Sequence, residues 1–169
     1  MAESKSISTQ ESEPRGVSKY HQKSRQDFIQ RNLTGKLLIK GTEKEWEVSK
    51  QSRSKFFLYP KYFSETALQE WFLFMQDIRT HSGKHRHQGG LAILVLEGRG
   101  YSILDGQRKD WKKGDLILLP IKPDGVEHQH FNIEPGTPCR WMAFIFIPMY
   151  DQIASYTKQI EMHPSFKGE

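Results

Sequence analysis

Three histidines have the spacing of a metal site in this chain. His85 and His87 are separated by one residue, and side chains two positions apart on a β-strand point to the same face. His128 lies on a later predicted strand, where His130 shares its face. Imidazoles from two neighbouring strands can converge on one first-row ion at about 2.0–2.2 Å. The spacing therefore predicts a mononuclear site of His85, His87 and His128 with open positions for other ligands.

Short apolar runs separated by turn residues predict the strands that must position these histidines. Asp105-Gly106 is typical of a two-residue hairpin turn, and Pro120 ends an apolar run. No helical pattern interrupts the runs, so we predict an all-β antiparallel sandwich or barrel. The predicted strands lie within residues 71–79, 91–106, 111–120, 126–133 and 139–149.

Composition divides the chain into four predicted parts. Residues 1–18 are nearly free of apolar side chains and are expected to be disordered. Residues 19–66 are expected to form a helix, from Tyr20 to Leu33, and an extended arm with short strands at Lys36–Ile39 and Phe56–Tyr59. Residues 67–150 form the predicted barrel. Residues 151–169 form a C-terminal helix or tail, with a closing helix from Tyr150 to Ile160.

Charge and cysteine content limit the expected partners and compartment. The 169 residues carry a formal net charge of +5 and one cysteine, Cys139. No apolar run is long enough to span a membrane, and no signal peptide is recognisable, so we predict a cytoplasmic protein without a membrane partner. The basic residues include no nucleic-acid motif, and no nucleic-acid partner is expected. A positive field would attract small anionic substrates.

Two motifs resemble those of the cupins, a superfamily of small jelly-roll barrels. The residues that fit, in order, are His85, His87, Gly98, Gly114, Pro120 or Pro123, Gly125, His128 and Asn132. The resemblance covers about residues 80–135. It implies a single double-stranded β-helix, the jelly-roll cupin barrel, with an N-terminal extension and a short C-terminal helix.

One departure from the motif indicates which group of cupins the chain resembles. Leu91 stands where many cupins have a glutamate ligand, and leucine cannot bind metal, so a three-histidine site is expected. The segments HRH and HQHFN are similar to those of the gentisate and salicylate type of ring-cleaving dioxygenases. That resemblance implies Fe(II), O2 and a small substrate, an aromatic hydroxy-acid or a β-diketone or enol, that chelates the iron before a C–C bond is cleaved. The same ligands accept Mn, Ni, Zn or Cu.

Four further side chains are candidates for contact with the substrate. His130 is the predicted catalytic residue and would transfer a proton. Arg79 could bind a substrate carboxylate in bidentate fashion, and Gln88 and Trp141 are further predicted substrate-binding residues. Three of them have a structural alternative: a hydrogen bond within the barrel for His130, strand shaping for Gln88 and core packing for Trp141.

Two other functions stay open at this point. The chain could be a non-oxidative metal-dependent cupin, an isomerase, lyase or hydrolase that uses Zn, Ni or Mn as a Lewis acid. It could also bind a small molecule without catalysis. A homodimer is expected, because cupins often pair through edge strands and N-terminal arms, and residues 36–62 could form such an arm.

Overall fold

The structure is a computed structural model that describes residues 16–60 and 62–168. Its elements in chain order are α1 Val17–Thr34, a 3-10 turn Gly41–Glu43, β1 Glu47–Val48, β2 Arg53–Leu58, β3 Trp71–Asp77, β4 Lys84–His87, β5 Leu91–Glu97, β6 Arg99–Leu104, β7 Gln107–Lys112, β8 Leu116–Leu119, β9 Val126–Asn132, β10 Arg140–Phe146, α2 Ile147–Gln152 and β11 Lys158–Glu161. No helix within these ranges is long and apolar enough to cross a membrane.

The strands form two antiparallel sheets. One has six strands in the order β1-β2-β3-β10-β5-β8, and the other has five in the order β11-β4-β9-β6-β7. The apolar core includes Ile93, Val95 and Ala143, each at most 1% exposed. They alternate with more exposed residues along β5 and β10, as expected for strands that bury one face. The predicted all-β jelly-roll architecture is confirmed.

The two-residue turn between β6 and β7 determines which residues of these strands face each other. Asp105 and Gly106 have φ of 48° and 80°. Both central residues of a type I′ turn need positive φ, which Asp and Gly tolerate well. The turn places Leu104 opposite Gln107, and the two strands stay paired as far as Arg99 and Lys112.

The N-terminal region differs from its predicted boundaries. Residues 1–15 of the predicted disordered tail lie outside the described residues, while Val17 and Ser18 already belong to α1. No described side chain of α1 is buried, and Arg31 joins it to the barrel through an ion pair with Glu70, 3.3 Å from Nη2 to Oε1. The sheet begins before residue 67, because β1 and β2 pair ahead of β3. Of Lys36–Ile39, Lys36 alone forms a bridge, with Thr66.

The predicted closing helix from Tyr150 to Ile160 is wrong in extent. The helix α2 already begins at Ile147 and ends at Gln152, shortly before Ala154 adopts a φ of 48°. The following residues turn back and form β11, which pairs with β4. By pairing there, β11 covers the edge of β4, which would otherwise present unpaired backbone N–H and C=O groups.

Candidate metal centre

The three predicted ligands lie on two adjacent strands of the five-stranded sheet. His85 and His87 alternate along β4, and His85 is the cross-strand partner of His128 on β9. Cross-strand partners project from the same face of a sheet. All three side chains therefore enter the space between the sheets, where each is at most 7% exposed.

The three rings are close enough to share one cation. A ring nitrogen from each histidine lies within 4.8 Å of the others. The ring centroids of His85 and His128 are 4.2 Å apart, and those of His87 and His128 are 4.8 Å apart. Because imidazole nitrogens bind first-row ions at about 2.0–2.1 Å, small ring movements suffice for all three to reach one ion. The group includes no carboxylate and no thiolate.

Backbone hydrogen bonds orient the rings. Nδ1 of His85 lies 3.3 Å from the Gly83 carbonyl, and Nδ1 of His128 lies 3.0 Å from the Val126 carbonyl. An Nδ1–H that donates to a carbonyl leaves Nε2 with a lone pair for a metal. His87 differs, because its Nδ1 accepts the Gly89 N–H at 3.0 Å. For His87 to bind a cation through Nε2 as a neutral ring, its proton must move to Nδ1 with loss of the Gly89 hydrogen bond, or the ring must turn over.

Glycine is required where β4 ends beside His87. Gly89 has φ of 80°, and a Cβ there would clash with the carbonyl oxygen of Pro120. A side chain at this position would therefore move the backbone N–H that holds the His87 ring. The sharp end of β4 and the orientation of His87 depend on the same residue.

Burial keeps these imidazoles neutral. Desolvation lowers the pKa of His85 and of His87 to about 4. The pKa of His128 is lowered well below 6.5, mainly by desolvation and then by the neighbouring histidines. Neutral rings keep the lone pairs that a metal needs, so the site is ready for a cation near neutral pH.

This burial predicts a pH-dependent stability of the metal-free protein. Histidine in an unfolded chain titrates near 6.5, whereas folded His85 and His87 titrate near 4. The unfolded state therefore takes up more protons between these values, and the free energy of unfolding falls as the pH falls from about 6.5 to about 4. The loss should reach about 3 kcal/mol for each ring.

Urea unfolding of the metal-free protein, at several pH values across this window, measures the effect. A double variant, His85→Gln with His87→Gln, is the control and should show a shallower dependence, to which His128 and His130 still contribute. Equal slopes for the two proteins would contradict the assigned burial.

His130 lies deeper than the three candidate ligands. It is 1% exposed, and its ring centroid is 5.5 Å from that of His128. The Ser102 hydroxyl accepts the Trp111 Nε1–H at 2.8 Å and lies 2.7 Å from His130 Nδ1. When the Ser102 hydroxyl donates its own proton to Nδ1, the proton of the neutral His130 ring is on Nε2. Desolvation lowers the pKa of His130 to about 3, so the ring is neutral, and its catalytic role stays a prediction.

A cavity of about 90 Å³ lies between the sheets beside the three histidines. Its lining includes the predicted residues His130 and Trp141. Aromatic side chains from β2 and β3, namely Phe56, Phe72 and Phe74, form one wall. The cavity is small compared with typical ligand pockets, so it suits a small molecule.

Two predicted substrate-binding residues do not reach this cavity. Arg79 is 70% exposed and its Nε lies 3.4 Å from Oδ2 of Asp77, along a separate surface depression. Gln88 Oε1 accepts the backbone N–H of Tyr156 at 2.8 Å. Neither side chain is therefore in the predicted substrate-binding position. Arg79 pairs with Asp77 at the end of β3, and Gln88 holds the segment that follows α2 through its hydrogen bond with Tyr156.

One cavity residue was missed from the sequence. Gln76 on β3 is 2% exposed, lines the cavity, and has a buried Oε1 without a hydrogen-bond partner among the described residues. The signal was a glutamine that continues the alternation of Phe72 and Phe74 on an otherwise apolar strand. A polar residue at an inward position of a core strand indicates a binding surface.

Leu91, at the motif position where many cupins have a glutamate ligand, faces the three histidines. It begins β5, is 9% exposed, and lines the same cavity as the three histidines. An apolar side chain thus takes the position on the cavity wall from which a fourth protein ligand could bind the metal. The wall at this point offers a metal no donor, so further coordination positions stay available to a substrate.

The fold and these side chains define a jelly-roll domain with a three-histidine candidate metal centre. The cupin domain family matches residues 73–146, which include both histidine strands. This part of the chain, somewhat less than half of it, is similar to a cupin domain. A gentisate 1,2-dioxygenase from a Ralstonia species is 34% identical over 74 residues. The match spans 43% of this chain but 20% of that protein.

Solved structures share the fold at low identity. A cupin-like protein from Thermotoga maritima has a TM-score of 0.53 at 14% identity, covering 75% of this chain and 90% of that one. Salicylate 1,2-dioxygenase from Pseudoaminobacter salicylatoxidans, solved with gentisate, has a TM-score of 0.52 at 18% identity. That similarity covers 79% of this chain and 35% of the dioxygenase. At these identities the similarity shows a common architecture.

Proposed function

We propose that this cupin is an Fe(II)-dependent dioxygenase that uses O2 to cleave a C–C bond of a small chelating substrate. The observation that carries the proposal is the group of three buried, neutral imidazoles without a carboxylate. Such a set leaves the double positive charge of the ion uncompensated, which favours an anionic substrate with two oxygen donors. The similarity to a gentisate 1,2-dioxygenase supports the same chemistry.

Each side chain has a defined part in this proposal. His85, His87 and His128 would hold the iron, which supplies the redox chemistry that O2 requires. With Ser102 as donor to its Nδ1, His130 would hold a proton at Nε2 inside the cavity and could donate it to a bound substrate oxygen. The aromatic wall of Phe72 and Phe74 excludes water from the reacting groups.

The substrates proposed are aromatic hydroxy-acids and β-diketones or related enols. Both classes offer two oxygens to one ion. A homodimer and a cytoplasmic location remain predictions.

Oxygen uptake tests the proposal. The metal-free protein is reconstituted anaerobically with Fe(II) and mixed with aerated catechol, salicylate, gentisate or acetylacetone. We expect uptake of one O2 for each substrate consumed with at least one of them. The same protein loaded with Zn(II) is the control and should consume none, because zinc has no redox chemistry.

Two results would redirect the assignment. An iron-loaded protein that consumes no O2 with any chelator, while the purified protein retains zinc or nickel, would indicate a Lewis-acid cupin. Tight binding of a chelator without turnover under either metal would indicate a binding protein.

A further inference from the structure

A row of polar side chains crosses the inner face of the six-stranded sheet. Ser54 on β2 is the cross-strand partner of Gln76 on β3, and Gln76 is the partner of Trp141 on β10. All three line the cavity that contains the candidate metal ligands. Partners in register lie side by side on one face, so the row forms a continuous polar strip opposite the histidine sheet.

Two atoms of this row have no hydrogen-bond partner among the residues that the structure describes. Gln76 Oε1 and Trp141 Nε1 are buried and lack a hydrogen bond among the described residues, although both residues are only 2% exposed. One is an acceptor and the other a donor. Buried polar atoms are nearly always paired, and an adjacent acceptor and donor on a cavity wall match a ligand group that both donates and accepts.

The same wall carries no charge. Among the described residues that line the cavity there is no Arg, Lys, Asp or Glu. The guanidinium groups nearest this end of β3 and β10 are engaged elsewhere, since Arg53 Nη1 lies 2.5 Å from Asp77 Oδ2 and Arg140 Nη1 lies 3.2 Å from Glu97 Oε2. A carboxylate at this wall would be buried without a counter-ion, which is strongly unfavourable.

We propose that Gln76 and Trp141 form a specificity subsite for an uncharged hydrogen-bonding group of the substrate. The substrate class is a chelator whose metal-binding oxygens are at one end and whose other end is an amide, hydroxyl or enol. A second carboxylate at that end is rejected. This inference rests on the proposed function for the chelation step, but it concerns which end group the cavity accepts. The alternative is a water molecule that hydrogen-bonds to both Gln76 Oε1 and Trp141 Nε1.

Two catechols with the same chelating unit test the subsite. The amide 3,4-dihydroxybenzamide and the acid 3,4-dihydroxybenzoate differ in the charge of the remote group, and unsubstituted catechol lacks that group. Zn(II)-loaded protein is used, so that binding is measured by calorimetry without turnover. We expect the amide to bind about tenfold more tightly than the acid and more tightly than catechol.

Substitutions at Gln76 and Trp141 test whether these two residues cause the preference for the amide over the acid. Gln76→Met should bring the affinity of the amide down to that of catechol, and Trp141→Phe should weaken the amide several-fold while its ring still fills the wall. Gln76→Arg should reverse the order and favour the acid. Gln129→Met is the matched control: Gln129 is also a buried glutamine, but its amide donates to the Ser82 carbonyl at 2.9 Å and does not line the cavity.

Equal affinity for amide, acid and catechol would overturn the proposal and leave water as the partner of the two atoms. Retention of the amide preference in both Gln76→Met and Trp141→Phe would overturn it as well. Failure of every catechol to bind would also overturn it, because a subsite without chelation has no substrate to position. By contrast, amide preference on zinc with no O2 uptake on iron would refute the dioxygenase and leave the subsite intact.

Discussion

Replacement of His128 by alanine should remove bound metal almost completely. Reconstituted protein should carry about one ion per chain, and His128→Ala close to none after extensive dialysis. His128 is the central ligand because its ring lies 4.2 Å from that of His85 and 4.8 Å from that of His87. Loss of a directly bound ligand should weaken affinity at least about 100-fold, more than loss of a supporting hydrogen bond does. Elemental analysis measures the ratio.

His21→Ala is the matched control, since His21 is an exposed histidine on α1. It should retain full metal content. Far-UV circular dichroism of both metal-free variants tests whether the barrel still folds, because a folded His128→Ala that has lost its metal assigns the effect to the ligand. A folded His128→Ala with unchanged metal content would contradict the three-histidine centre.

The substitution Leu91→Glu should convert the site to one with four protein ligands. Leu91 is buried on the cavity wall, so a glutamate there would be desolvated in the metal-free protein and would gain a partner when the ion binds. We expect metal affinity to rise at least about tenfold, and the shift in unfolding temperature on metal addition to rise with it. Binding of catechol and any O2 uptake should fall, because the carboxylate occupies a position that a chelator needs.

Leu91→Gln is the control that separates the effect of the carboxylate charge from the effect of side-chain size. Its side chain has nearly the same size as glutamate but is a poor ligand, so it should leave metal affinity close to that of the natural chain. Calorimetric titration with Zn(II) compares the three proteins. If Leu91→Glu and Leu91→Gln behave alike, Leu91 does not face the ion.

Much of the barrel could be predicted because its signals are local. A continuous apolar run from Leu91 to Leu96 and the Asp105-Gly106 turn are visible in the sequence, and they correspond to β5 and to the β6–β7 hairpin. The spacing of His85 and His87 predicts a shared face for the same reason. His128 was placed beside them by the motif resemblance, and the structure brings the three rings together.

The parts that were missed depend on distant partners. The strand β11 forms because β4 has a free edge, which is not visible within Lys158–Glu161 itself. Arg79 faces an acid on its own strand edge instead of the cavity, and no spacing rule distinguishes these two outcomes. Gln76 was overlooked because its importance comes from an unpartnered atom, a property that exists only in the folded state.

The position of β4 between β9 and β11 has a consequence for how the protein is made. Ribosomal synthesis produces the strand with His85 and His87 before either neighbour exists, and β11 is the last of the described strands to emerge. Pairings of such wide sequence separation also form slowly in refolding. We therefore expect a nascent chain to acquire its metal only after β9 has been synthesised and has paired with β4, so that metal binding follows formation of the sheet.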